Sequence, residues 1–87
     1  MKKAITVVEV ENEGLLALLN QTVTLFCANY IYTGLLVGVN DECVLLENAK
    51  IVYETGVLTS KEWKDVQPLP GNWYVKLSAV ESFGLLK

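Results

Sequence analysis

The segment from Tyr32 to Lys50, YTGLLVGVNDECVLLENAK, constrains the fold more than any other part of the chain. Apolar residues alternate along it, which is typical of β-strands. Gly34 and Gly38 fall on the same face of its first half. Glycine inside a strand marks a place where a sheet bends or another backbone comes close. The two glycines therefore predict a strand that curls sharply, as the strands of a small barrel do.

A tight turn divides this segment into two strands. Asn40 and Asp41 are expected to form the turn, because both residue types tolerate a positive φ angle. The first strand is predicted to cover residues 30–39 and the second residues 43–53, with a bend near Asn48 in the second. The centre of the chain is therefore predicted to be an antiparallel hairpin.

The remaining segments extend this pattern within one predicted domain, residues 1–87. β-branched residues predict an N-terminal strand at residues 4–10. A short helix is expected to end near Asn20 and to present one apolar face, formed by Leu15, Leu16, Leu18 and Leu19. Apolar alternation predicts further strands at residues 21–27, 72–77 and 79–83.

The predicted fold class is therefore mainly β. An N-terminal strand and a short helix are followed by a strongly bent five-stranded antiparallel sheet that forms a small barrel. Residues 1–10 are an N-terminal extension, and residues 55–71 form a long loop before the last two strands.

The chain is more apolar than a small single domain needs. Hydrophobic residues make up 52% of its 87 residues. A domain of this length buries only about 60% of the surface that its unfolded chain exposes, so one small core cannot cover all of them. We therefore expect part of the apolar surface to be buried against other copies of the chain.

The charged residues argue against most enzyme classes and weakly against nucleic-acid binding. The net charge is −3, the seven basic residues are all lysines, and there is no histidine. Arginine is the preferred residue for binding nucleic acid, and histidine is the commonest metal ligand and general base. Neither a glycine-rich phosphate loop nor metal-ligand spacing is visible. We expect no enzyme activity, no cofactor and no metal, although a local ring of lysines is compatible with this composition.

Neither a targeting segment nor a membrane span is predicted. Lys2 and Lys3 resemble the start of a signal peptide, but Glu9 and Glu11 interrupt the apolar run that would follow. We expect a cytoplasmic protein with no membrane partner, and we predict that its cysteines, Cys27 and Cys43, are reduced and buried.

Two stretches of the chain resemble the Sm-like (LSm) family. They are TVTLFCANYIYTGLLVGVNDECVLLENA and, after a gap, VKLSAV. The first motif of that family has a strand-borne glycine, a leucine two residues on, a glycine-hydrophobic-acid turn, and an apolar strand that ends in Leu-x-x-Ala. The matching residues are Gly34, Leu36, Gly38 to Asp41, and Leu46 to Ala49. The resemblance covers residues 14–54 well and residues 73–83 loosely.

The resemblance implies a ring that binds single-stranded RNA. Sm-like proteins have an N-terminal helix and a bent five-stranded sheet closed into a small barrel. Their subunits pair the fourth strand of one copy with the fifth strand of the next. The second family motif, Ile-Arg-Gly, overlays Val75-Lys76-Leu77. The RNA-binding residues implied for this chain are Asn40, Asp41 and Lys76, and the implied subunit contact contains Val75, Leu77, Val80 and Phe83.

The chain departs from the family at the base-binding positions. Glu42 stands where the family has an aromatic residue or histidine, and Val44 stands where it has the asparagine that completes the uridine site. Two hypotheses remain. In the first, a homo-oligomeric ring binds single-stranded RNA weakly through its pore. In the second, favoured by the acidic balance and the altered base site, the ring is a protein-assembly module that binds no RNA.

Overall fold

Six strands form one antiparallel sheet in a computed structural model, which describes residues 14–87. The predicted N-terminal strand at residues 4–10 lies outside the described residues. Two short 3₁₀ helices, Gly14–Leu18 and Leu77–Ala79, precede the first strand and join the last two. The strands are β1 Thr22–Cys27, β2 Ile31–Val39, β3 Cys43–Glu54, β4 Asp65–Pro68, β5 Trp73–Lys76 and β6 Val80–Gly84. The predicted mainly β class is confirmed.

The long strand β3 organises the sheet. The strand order is β4-β3-β2-β1-β6, and β5 also pairs with β3. β4 pairs with residues 50–54 of β3, whereas β5 pairs with residues 43–46, so both lie along the edge of β3 that β2 leaves open. Within residues 14–87, no strand pairing joins β6 to β4 or β5, so the sheet is not closed. The finer prediction of a closed small barrel is therefore not confirmed.

The loop predicted at residues 55–71 contains a strand, so the sheet has six strands where the sequence predicted five. The sequence of β4, DVQP, shows no apolar alternation because Val66 is its one aliphatic residue. Proline is tolerated at Pro68 because β4 lies at the edge of the sheet, where not every backbone N–H is needed for pairing. The sequence pattern does not predict β4, because its pairing with β3 stabilises it and its own composition does not.

The bend in β2 and β3 occurs at paired irregularities of register. Thr33 pairs with Lys50 but Leu35 pairs with Glu47, so β3 carries an extra residue opposite Gly34. Asn48, in this bulge, has a φ angle of 53°, which asparagine tolerates better than most residues. A Cβ atom on Gly34 would lie 3.1 Å from the Cα of Ala49, so the backbones approach too closely for a side chain. The predicted bend near Asn48 is thus confirmed.

The core draws on the first 3₁₀ helix and on strands β1, β2, β3 and β5. Among the described residues, Thr24 and Thr33 are the buried polar ones. Leu69 and Trp73, which flank the break between β4 and β5, pack against the core from its rim. The buried hydrophobic cluster consists of Leu15, Val23, Leu25, Leu36, Val44, Leu46, Ala49 and Val75.

The predicted helix before β1 is reduced to five residues of 3₁₀ helix, Gly14–Leu18. Leu15 is buried, but Leu16 is 60% exposed and Leu19 is 37% exposed, so the predicted single apolar face is wrong. A 3₁₀ helix has three residues per turn, so adjacent residues such as Leu15 and Leu16 lie on different faces. The helix is followed by Asn20, whose φ angle is 67° and whose N–H donates to the carbonyl oxygen of Leu36 at 2.7 Å.

Candidate functional site

The turn between β2 and β3 is closed by the side chain of Asn40. Its Oδ1 atom accepts hydrogen bonds from the backbone N–H groups of Glu42 and Cys43, each at 2.8 Å. The backbone N–H of Asn40 also donates to the carbonyl oxygen of Cys43 at 3.0 Å. Asparagine favours such turns because its amide oxygen reaches backbone donors two and three residues ahead. The hairpin predicted at Asn40 and Asp41 is confirmed, and the Asn40 amide has a structural role in it.

Lys76 lies beside this turn although it is far away in the sequence. In the register of β3 and β5, Lys76 is opposite Cys43. The next backbone N–H, that of Leu77, donates to the carbonyl oxygen of Glu42 at 2.8 Å. The structure therefore brings the three predicted RNA-binding residues, Asn40, Asp41 and Lys76, to one end of the molecule, where all three are exposed. We call this surface, with Glu42, the turn face.

The turn face carries more negative than positive charge. Asp41 and Glu42 are exposed carboxylates, and Lys76 is the basic residue next to them. Among the described residues, no carboxylate oxygen lies within ion-pair distance of Lys76, so its ammonium group is available to an anionic ligand. Val44, at the family's base-binding position, is fully buried in the core and cannot contact a ligand. A base-specific site of the family type is thus absent from the described turn face.

The residues predicted at the subunit contact differ in their accessibility. Val75 is 5% exposed and packs in the core of its own subunit, so its side chain is not presented to a neighbouring subunit, while its place near the subunit contact stays a prediction. Leu77 and Val80 are half-buried and pack against the same core. Phe83 is 42% exposed on β6. Of the four predicted residues, Phe83 presents the largest free surface.

Tyr74 is a further candidate contact residue, which the predicted subunit contact did not include. Tyr74 on β5 is 67% exposed, because strand alternation places Val75 on the core side and Tyr74 on the opposite side. The alternation of WYVK contained this signal, since an aromatic residue beside a buried valine must point away from the core. Tyr74 and Phe83 thus put one exposed aromatic side chain on each of the strands at the two ends of the sheet.

Cys27 and Cys43 are free thiols, and each is half-buried rather than fully buried as predicted. Burial, and secondarily the carboxylate of Glu81, raises the pKa of the Cys27 thiol. A thiol with a raised pKa is protonated at neutral pH and is a poor nucleophile. Cys27 therefore has a packing role on β1.

No group of three or more histidine, cysteine or acidic residues in the range 14–87 is arranged to hold a metal ion. No helix in that range has the length and apolar character that crossing a membrane requires.

No protein-family model matches this chain, and neither a curated protein nor a solved structure matches it.

Proposed function

We propose that the protein is an Sm-like scaffold that assembles into a homomeric ring and binds single-stranded RNA weakly through the turn face. The hydrogen bond from Leu77 to Glu42 is the observation that carries this proposal. It joins the two segments that carry the family resemblance, although more than thirty residues separate them in the sequence. Asn40, Asp41 and Lys76 then form one exposed surface that rotational symmetry would repeat around a pore.

The open edges of the sheet support the ring. Within residues 14–87, the β4 and β5 side and the β6 side each leave backbone N–H and C=O groups without a strand partner, and such edges pair readily with other chains. Tyr74 and Phe83 put an exposed aromatic side chain on β5 and on β6. Pairing β5 of one copy with β6 of the next would cover both edges and both aromatic residues. The sharp bend at Gly34 and Asn48, with the short link Leu77–Ala79, favours the curvature of a small barrel in each subunit.

RNA binding at the turn face would be electrostatic. Lys76 supplies one positive charge per subunit, and its symmetry copies would contact successive phosphate groups. Such binding weakens steeply as salt rises and does not depend on the base. No uridine preference is expected, because Glu42 cannot stack on a base and Val44 is buried.

The second candidate function is protein assembly without RNA. The charge of the turn face favours it, since Asp41 and Glu42 together outweigh Lys76 in every subunit. In this case the ring would present its turn face to a protein partner. Both candidates require the ring, and they differ only in the ligand.

Native mass spectrometry of the purified protein, followed by titration with a fluorescent oligouridylate at low salt, tests both candidates. A closed oligomer that binds the oligonucleotide weakly supports the first function. A closed oligomer without RNA binding at low salt supports the second. A monomer at micromolar concentration contradicts the ring and therefore both.

A further inference from the structure

A second polar surface of the molecule is a cleft between the middle of the sheet and the loop after β3. Its volume is about 380 Å³, within the range of small-molecule sites. Among residues 14–87, the lining contains no carboxylate side chain, although the chain as a whole has a net charge of −3. The side chains that matter for its chemistry are Asn48, Lys50, Lys61, Trp63 and Lys87. We call this surface the lysine cleft.

Lys87 holds the loop side of the cleft in place. Its Nζ atom donates to the carbonyl oxygens of Thr55 at 2.9 Å, Val57 at 2.8 Å and Glu62 at 2.9 Å. The same atom lies 4.6 Å from the centre of the Trp63 ring, which is a cation-π contact. All three ammonium protons are thus used by the protein. Lys87 therefore contributes positive charge and a fixed position for Trp63, but no further hydrogen bond.

Lys50 and Lys61 are the lysines that can bind a ligand directly. Both are exposed, and among the described residues no carboxylate oxygen is within 4.0 Å of either ammonium group. The ion pair found in this region joins Lys64 to Glu54 at 3.2 Å, and neither of those residues lines the cleft. The part of the lining that the structure describes therefore has two free cations, one fixed cation and one half-buried indole ring.

We propose that the lysine cleft binds a nucleotide. The ammonium groups of Lys50 and Lys61 suit a phosphate group, and the indole of Trp63, which lines the cleft and holds the Lys87 ammonium against its ring, is the group on which a base would stack. The amide of Asn48 can both donate and accept hydrogen bonds at a base or sugar. An acidic peptide would use the lysines but not the indole. The nucleotide is either a free mononucleotide or one unit of a single-stranded chain.

This inference does not rest on the proposed ring. Lys50 is seven residues beyond Cys43 along β3, which corresponds to roughly 20 Å of strand, so the cleft is separate from the turn face. A variant of Lys76 is expected to leave the cleft unchanged. Loss of binding at one surface therefore does not imply loss at the other.

The indole N–H signals of the two tryptophans in a ¹⁵N NMR spectrum test the proposal. The probes are adenosine monophosphate, adenosine, ribose 5-phosphate and a short oligoadenylate at low salt. Adenosine monophosphate is expected to shift the Trp63 signal but not the Trp73 signal, and to bind more tightly than either of its parts. If the oligoadenylate binds more tightly than the mononucleotide, the ligand of the cleft is one unit of a single-stranded chain. If it binds equally tightly or more weakly, the ligand is a free nucleotide.

Matched variants locate the site. Lys61→Gln is expected to weaken the binding of adenosine monophosphate by a factor of about three or more, which corresponds to the loss of one exposed charge contact. Lys64→Gln removes a lysine that is three residues from Lys61 in the sequence and lies outside the cleft. It is expected to change the affinity for adenosine monophosphate less than twofold. Trp63→Leu is expected to weaken it about tenfold through loss of stacking, while Trp63→Phe keeps an aromatic face and most of the affinity.

Three results would overturn the proposal. The first is no shift of the Trp63 signal with any nucleotide probe at low salt. The second is equal affinity for ribose 5-phosphate and adenosine monophosphate, which means that only phosphate is bound. The third is equal loss in Lys61→Gln and Lys64→Gln, which means that the attraction is diffuse and has no site in the cleft.

Discussion

The backbone N–H of Leu77 donates a hydrogen bond to the carbonyl oxygen of Glu42 at 2.8 Å, and this bond links the end of β5 to the turn between β2 and β3. Lys76 consequently lies beside the turn that carries Asp41 and Glu42. This end of the molecule is therefore net negative, because it carries one ammonium group and two exposed carboxylates. A change of one charge at the turn face should therefore have a measurable effect on RNA binding.

We predict opposite effects for two substitutions at the turn face. Lys76→Glu should abolish binding of an oligouridylate at this face, and Glu42→Gln should strengthen it, because each changes the charge presented to the phosphates. Fluorescence anisotropy at several salt concentrations measures both. The titrations should be repeated in a Lys61→Gln/Trp63→Leu background, in which both changes weaken binding at the lysine cleft. Lys64→Glu, with the same change in net charge away from the turn face, serves as control. Tight oligouridylate binding at physiological salt would contradict this prediction.

We predict that one charge on β6 disrupts the ring. Phe83 is 42% exposed, so Phe83→Glu should leave the subunit folded. It should place an unpaired charge in the subunit contact, which costs about 3 kcal/mol or more of association free energy. Sedimentation should then show monomers at micromolar concentration. Leu58→Glu replaces another large apolar residue, 49% exposed and in the loop after β3, and should leave the ring intact. An unchanged oligomer in Phe83→Glu would mean that β6 is not in the contact.

We predict that only one of the two strand glycines is required. A Cβ atom on Gly34 would lie 3.1 Å from the Cα of Ala49 and 3.2 Å from the carbonyl oxygen of Glu47, and these backbone atoms cannot easily move. Gly34→Ala should lower the free energy of unfolding by about 1–3 kcal/mol, the usual cost of overpacking. Gly38→Ala is the control, because its Cβ would be 3.6 Å from the Cβ of Leu45, an ordinary contact. Urea denaturation measures both, and equal costs would contradict this account of the bend.

We predict opposite effects for the same substitution at two paired threonines. Thr24 and Thr33 face each other across β1 and β2, and both are buried. The hydroxyl of Thr33 donates to the carbonyl oxygen of Val23 at 2.9 Å, whereas that of Thr24 has no partner among residues 14–87. Thr24→Val should raise the free energy of unfolding by about 1 kcal/mol, and Thr33→Val should lower it by about 1 kcal/mol. Denaturation that shows a loss of stability in Thr24→Val would indicate that its hydroxyl is satisfied in solution.

We predict that the protein loses stability at alkaline pH. Burial, followed by the Glu81 carboxylate, raises the pKa of Cys27 above its ordinary value of 9.0, and burial likewise raises the pKa of Tyr32 above 10.0. The unfolded chain therefore releases these protons at lower pH than the folded protein does. The stabilisation is complete below about pH 9 and is lost as the pH rises through the raised values.

The slope of unfolding free energy against pH, measured between pH 8 and pH 11, tests this effect. Cys27→Ala and Tyr32→Phe should each flatten the slope, whatever they do to stability at neutral pH. Ser78→Ala, at an exposed position, should leave the slope unchanged and controls for the substitution itself. A slope that is the same in all four proteins would show that other groups cause the alkaline loss.

Local patterns in the sequence determined the central hairpin, the bend and the class of the fold. Alternation along β1, β2 and β3 is strong because one face of each strand is buried, and the Asn40 turn carries its own hydrogen-bonding side chain. The pair of glycines in β2 indicated a bend, since glycine inside a strand has few other uses. These features depend on residues that are close in sequence, so they could be read without the fold.

The tertiary structure alone decided which residues meet and which are exposed. β4 exists because β3 offers it a free edge, and its own residues show no alternation. Gly34 is required by the close approach of Ala49, while Gly38, identical in the sequence pattern, has room for a side chain. Val75 is buried and Tyr74 exposed because β5 packs one face on the core of the same subunit. Such facts depend on contacts between distant parts of the chain, and no local preference records them.

The lysine cleft shows the same division most clearly. Lys50, Lys61 and Lys87 are scattered through the sequence and give no basic run, so the composition suggested only an acidic protein. The fold gathers all three around Trp63, because the loop after β3 returns over the sheet and the Lys87 ammonium binds three of its carbonyl oxygens. The net charge of the chain is a sum that the sequence determines. The positions of the charged side chains relative to one another depend on long-range backbone contacts, which only the folded structure contains.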